Sequence, residues 1–196
     1  MQTALVSLLH DIDEARSRSV IDRLLAQDCH PALRGVLQSI RRYDDRNFRT
    51  HEIRGVRVLV AREIDESEGV PFHMERWLAN VPRGDLAGIV RLYVVLRPPV
   101  QDVAGYYMPV LSTITVYWKV SLVGSKALAR LARISVEKTL YHEIGHHVHR
   151  HTFGRQPEQE KEADRYAYAR LRVSRPFLTA AVRAIRLVVR PKANRR

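Results

Sequence analysis

Apolar residues recur along this chain with helical spacing at both ends and with strand-like alternation in the middle. Over residues 3–27, Leu5, Leu8, Leu9, Ile12, Val20, Leu24 and Leu25 stand amid charges, which predicts an amphipathic helix or a helix pair. Leu33, Val36, Leu37 and Ile40, after Pro31, predict a further helix to about Tyr43, and Asp44 to Asn47 predicts a turn. The period then shortens. Val56, Val58 and Val60 predict a strand, Glu66 to Gly69 a turn, and Phe72 to Leu78 a short helix. A turn follows at Gly84-Asp85. A strong β run covers Ile89 to Leu96 and stops at Pro98-Pro99. Tyr106 to Met108 and Thr113 to Val120 complete the candidate strands. Helical spacing returns with Ile134, Leu140, Ile144 and Val148. A second helix starts near Pro157, where proline suits the first turn and Glu158 and Glu160 suit the positive end of the dipole. Leu178, Val182, Ile185 and Val189 oppose Arg183, Arg186 and Arg190, predicting an amphipathic helix over 176–190, and a basic tail ends the chain.

Helices, a small sheet, then helices again define an α+β layout, with the sheet expected against the helix around residue 140. At 196 residues and 45% apolar, the expectation is a single domain with a proper core. Its segments would be an N-terminal helical part (1–45), a sheet region (54–120), a helix pair (124–172) and a basic C-terminal helix and tail (175–196).

Charge changes this picture in one respect. The net charge is +12, and residues 1–118 contribute nothing to it, with 15 basic and 15 acidic side chains. Residues 119–196 carry 18 basic and 6 acidic ones, and none of the acidic ones follows Asp164. A basic half of this kind suits a nucleic acid or another acidic partner, or simply a solvated face. The single cysteine, Cys29, allows no internal disulfide, which fits a reducing compartment. The N-terminal residues lack a basic leader, and no run approaches the ~20 apolar residues needed to span a bilayer. A cytoplasmic location without a transmembrane segment is therefore expected.

The chemistry concentrates in His142-Glu143-Ile144-Gly145-His146. On a helix, residues four apart share a face, so His142 and His146 can offer two imidazoles to one ion. Glu143 beside them can take a proton from an activated water. Two histidines leave a third ligand to find, and the second helix supplies carboxylates at Glu160, Glu162 and Asp164. Three protein ligands and one open position make a catalytic zinc arrangement, and this ligand set suits Zn2+ best. Glu160 and Glu162 point in different directions round the helix, so both cannot face one ion. His149, seven residues after His142, shares its face and is a candidate for a ligand, a donor to the reacting substrate or a surface residue. His147 and His151 also follow the motif. His10, His30, His51 and His73 are isolated, and a structural role is expected for them.

A His-Glu-x-x-His helix followed by a helix carrying Glu-x-x-x-Asp resembles the gluzincin metallopeptidases. Within them, the chain looks most like the soluble ImmA/IrrE-type enzymes. That resemblance rests on Gly105-Tyr106-Tyr107, the strand Ile114 to Trp118, the His-Glu-Ile-Gly-His helix, and Glu160-x-Glu162-Ala163-Asp164-Arg165-Tyr166-Ala167. It covers roughly residues 100–172. It implies a zincin-like fold, with a small mixed or antiparallel sheet on the active-site helix. It also implies His142, His146 and Glu160 as zinc ligands, Glu143 as general base, and Asp164 as the partner that orients His142. Glu162 is the second choice of ligand. Ile114, Thr115 and Val116 would form an exposed edge strand beside the cleft, where an extended peptide pairs. Tyr166 and His149 are candidate oxyanion donors, with Tyr168 and Tyr107 also open. The expected activity is zinc-dependent hydrolysis of a peptide bond in a protein substrate. The rival reading is a basic nucleic-acid-binding or regulatory protein on the same scaffold, with little or no protease activity.

Overall fold

The computed structural model describes residues 14–27, 34, 37–38, 41, 43–96, 104–109, 111–122, 124–152 and 156–177. The helix expected over 176–190, the basic tail and Cys29 lie largely or wholly outside them. The chain divides into two units, residues 1–49 and 50–196.

In the first unit, α1 (Glu14–Ala26) buries Ser17 and Ile21, one turn apart. Its Arg18 reaches the buried carboxylate of Asp44 at 3.3 Å. Asp44 also caps the short 3-10 turn Asp45–Asn47, accepting from the Arg46 backbone N–H at 2.9 Å. The Arg46 guanidinium forks onto both of its oxygens, at 2.8–3.2 Å. Held chiefly by that hydrogen bond, against the cost of burial, the Asp44 carboxyl titrates at about 2.

The second unit holds most of a five-stranded mixed sheet. The strands are β1 (Phe48–Ile53), β2 (Val56–Ala61), β3 (Arg91–Val95), β4 (Gly105–Met108) and β5 (Thr113–Tyr117), in the order β1-β2-β3-β5-β4. β2, β3 and β5 are parallel, with Val58 opposite Leu92 and Leu92 opposite Ile114. Parallel strands are covered on both faces, which is why these read as nearly unbroken apolar runs. Val58 to Ala61 and Leu92 to Val95 are buried at every position.

β4 then folds back antiparallel on β5, placing Gly105 opposite Val116 and Met108 opposite Thr113. This corrects one expectation. Ile114, Thr115 and Val116 do not form an edge strand; they are buried between β3 and β4, and the edge on this side is β4. Two further differences are local. β1 escapes the apolar pattern because only its end residues, Phe48 and Ile53, are buried. Gly84-Asp85 sits in a short helix, α3 (Arg83–Leu86), instead of a plain turn.

α2 (Val70–Leu78), with Pro71 in its first turn, packs against β2. Its Trp77 meets Trp118, just past β5, at 6.0 Å between ring centroids, and His73 stacks on Trp77 at 5.6 Å. Burial and the charges of Arg133, Arg76 and Arg175 lower the pKa of His73. His73 also lies 5.9 Å from Trp118 between ring centroids.

α4 (Lys126–Val148) begins at Ser125, whose hydroxyl accepts from the Leu128 N–H at 3.2 Å. It buries Ala132, Val136, Leu140 and Ile144, four residues apart, and packs against β4 and β5. α5 (Pro157–Ser174) starts at the expected proline and runs back along α4. Among the described residues, no helix is long and apolar enough to cross a membrane.

Candidate metal centre

Gly145 and Ala163 let α4 and α5 come close enough for side chains of both to meet. His142 Nε2 lies 3.1 Å from His146 Nε2 and 3.3 Å from Glu160 Oε2, and His146 Nε2 lies 3.7 Å from Glu160 Oε1. These three residues are the group, among those described, that could hold a metal ion. Ligands about 2.0–2.1 Å from a tetrahedral ion stand about 3.3–3.4 Å apart, so the observed separations fit such a site. Glu162, the alternative ligand, is turned away and meets His151 Nε2 at 3.0 Å.

The partners of the two rings fit the same arrangement. Asp164 Oδ1 lies 3.1 Å from His142 Nδ1. A carboxylate only accepts, so Nδ1 carries the proton, and in the neutral ring Nε2 is an unprotonated donor atom facing the ion position. Lys138 Nζ is 3.1 Å from the same Asp164 oxygen. Burial opposes ionisation of Asp164, but Lys138 and His142 outweigh it and hold the carboxyl below its ordinary range. Burial likewise works against the Lys138 charge, and Asp164 more than restores it. Burial and the neighbouring His142 bring His146 down to about 4, so its ring is neutral at pH 7, as a metal ligand must be.

Glu143 is buried, in the turn that carries the two histidines. β4 lies directly over it. A Cβ on Gly105 would stand 3.3 Å from Glu143 Cγ, 2.9 Å from the Thr115 carbonyl oxygen and 2.6 Å from Thr139 Cγ2. The edge strand can approach Glu143 this closely only with glycine there.

The candidate donors are placed as follows. The Tyr166 hydroxyl donates to Asp85 Oδ2 at 2.6 Å, and burial followed by that carboxylate raises its pKa. Its proton is therefore engaged with α3. His149 closes α4 as its C-cap and stacks on His151 at 5.5 Å. The Lys138 ammonium sits over the exposed Tyr168 ring at 4.9 Å. Tyr107, on β4, lies 3.1 Å from His147 Nδ1, and His147 Nε2 donates to the Ala87 carbonyl at 3.0 Å. Since Nε2 holds the proton, the Tyr107 hydroxyl donates to Nδ1. His147 thus joins β4, α4 and the segment after α3 around an open cleft of about 600 Å³. Asp85, Tyr107, Ser112, His147, Arg150 and His151 line that cleft.

Lys138 escaped the sequence reading, and His151 was named there without this role. Lys138 stands four residues before His142, so helical spacing alone could have found it. His151 lies beyond the end of the helix, where spacing gives no guide, yet its Nδ1 is 2.8 Å from His146 Nδ1.

No family model matches the chain, and no curated protein or solved structure matches it.

Proposed function

We propose that the protein is a zinc-dependent metallopeptidase of gluzincin type on a zincin-like scaffold. The observation that carries this reading is the convergence of His142 Nε2, His146 Nε2 and Glu160 within 3.1–3.7 Å, with Asp164 behind His142. These three residues would hold the ion and leave room beside it for a water or a carbonyl. A zinc ion there supplies Lewis acidity that brings the pKa of a water towards neutrality.

The chain's own groups do the rest. Glu143 takes the proton from the attacking water and passes it to the leaving amine, which makes it general base and then general acid. The short distance between β4 and Glu143 supports a polypeptide substrate running along the β4 edge and into the cleft beside His147.

The test begins with zinc content. The parent should hold about one zinc per chain, and His142→Ala and Glu160→Ala should each lose it. Glu143→Gln should keep zinc and lose at least ~100-fold in peptide hydrolysis, the size expected for removing a general base. Full hydrolysis by Glu143→Gln would exclude the mechanism. A parent that takes up no zinc would exclude the site.

A further inference from the structure

α4 ends in a turn with a specific consequence for the metal centre. The His151 N–H donates to the His146 carbonyl at 3.0 Å, and the Arg150 N–H donates to the His147 carbonyl at 3.0 Å. Arg150 itself is left-handed, with φ 53°. This pair of bonds around a left-handed residue is a Schellman motif, which returns the residue after the turn to the carbonyl three from the helix end. An apolar contact commonly closes that motif. Here the two side chains that meet are His151 and His146, 2.8 Å apart through their Nδ1 atoms, and His151 is buried.

The protons can be assigned from the outside inward. Glu162 Oε2 lies 3.0 Å from His151 Nε2. The carboxylate only accepts, so His151 Nε2 carries the proton. In the neutral ring its Nδ1 is then an acceptor. As a metal ligand His146 offers an unprotonated Nε2, so its Nδ1 carries the proton and donates to His151 Nδ1 at 2.8 Å, and the ion position separates its Nε2 from that of His142, 3.1 Å away. Asp164 does the same for His142 directly. Two carboxylates of α5 therefore set the two rings, one of them through an intervening imidazole.

From this geometry we infer that His151 and Glu162 are positioning residues that fix the tautomer and orientation of His146 for metal binding. The inference rests on the metal-site reading given above. Partners behind a metal-bound histidine are commonly worth about 10–100-fold in metal affinity.

Zinc affinity of the full chain, by chelator competition at fixed pH, tests this with His151→Phe, His151→Gln and Glu162→Ala. His151→Phe should bind zinc about 10–100-fold more weakly, and the absorption bands of its cobalt form should shift. His151→Gln, whose amide oxygen can accept from His146 Nδ1, should recover most of the loss. Glu162 is exposed, so Glu162→Ala should fold like the parent and show a smaller, several-fold loss. Ring-nitrogen NMR of the zinc-loaded parent should place protons on His146 Nδ1 and His151 Nε2. A proton on His146 Nε2 would overturn the inference, and so would parent-like zinc affinity with an unchanged cobalt spectrum in His151→Phe. If His151→Phe does not fold, Glu162→Ala and the NMR assignment decide by the same outcomes. Failure of the parent to bind zinc would instead overturn the metal-site reading, and this inference with it.

Discussion

Gly145 of α4 and Ala163 of α5 meet backbone against side-chain space: a Cβ on Gly145 would stand 2.9 Å from the Cα of Ala163 and 3.1 Å from its carbonyl oxygen. The atoms it would strike belong to a helix backbone, which cannot rotate aside. His142 and His146 flank Gly145 on one helix, and Glu160 and Asp164 flank Ala163 on the other. This close contact of the helix pair thus lies at the centre of the proposed site. Gly145→Ala should force the helices apart and destabilise the chain by about 1–3 kcal/mol, the usual range for overpacking. The same movement draws Glu160 away from the histidines, so zinc affinity should fall as well. Equal stability and equal zinc affinity in Gly145→Ala and the parent would show that α5 can shift without disturbing the ligands.

A second close approach concerns β4. A side chain at Gly105 would collide with Thr139 and with the Thr115 carbonyl before it reached Glu143. Gly105→Val should therefore displace the edge strand from α4 over Glu143, the proposed general base, while the three proposed ligands, which belong to α4 and α5, stay together. The expected result is near-normal zinc content with hydrolysis reduced by ten-fold or more, since small misplacement of a catalytic group is costly. Zinc lost in proportion to activity would mean that β4 supports the ligands themselves.

The grouping of His142, His146 and Glu160 was legible in sequence because its main rule is local. Histidines four apart share a helix face wherever the helix lies, and a carboxylate on the following helix completes the set. Resemblance then singled out Glu160 over Glu162, which bonds His151 in the structure. What stayed hidden depends on geometry that spacing does not encode. His151 reaches His146 only because Arg150 adopts a left-handed conformation, and no glycine marks that turn. The place of β5 was missed for a related reason. Its apolar run, Ile114 to Trp118, shows burial but not which neighbour covers it, and the short β4 takes the outside position. β1 was invisible because Arg49, His51 and Glu52 interrupt its apolar residues.

Away from the ligands, a buried ionic contact fastens the far end of the same helix pair. Glu137 is almost fully buried; its Oε2 accepts from Arg175 Nε at 2.5 Å, and its Oε1 lies 3.2 Å from the Tyr141 hydroxyl. That hydroxyl is also 3.1 Å from the Trp77 carbonyl, which brings α2 into the cluster. Glu137→Ala leaves the guanidinium without its buried partner and should cost about 3–5 kcal/mol in urea unfolding. Replacing both residues with apolar ones of similar volume, Glu137→Leu with Arg175→Met, should recover much of that loss, because desolvation of the pair disappears with it. A double variant as unstable as Glu137→Ala alone would show that the contact contributes net stability beyond avoiding an unpaired charge.

Acid should reveal the part played by Asp44 in the first unit. Its carboxyl falls from the ordinary 3.8 to about 2, chiefly through the hydrogen bond from Arg46. Above pH ~4 the group is ionised both folded and unfolded, so its full contribution is present. As pH falls from about 4 towards 2, the unfolded chain takes up the proton before the folded one, and the contribution is lost. Its size is on the order of 1–2 kcal/mol, below the full linkage value because the Arg46 side chain is 70% exposed and solvent screens the pair. Asp44→Asn keeps an oxygen for the Arg46 N–H and removes only the charge. Thermal unfolding of the parent and of Asp44→Asn should therefore differ at pH 7 and converge by about pH 2. A difference that persists unchanged at pH 2 would assign the loss to altered capping or packing instead of the charge.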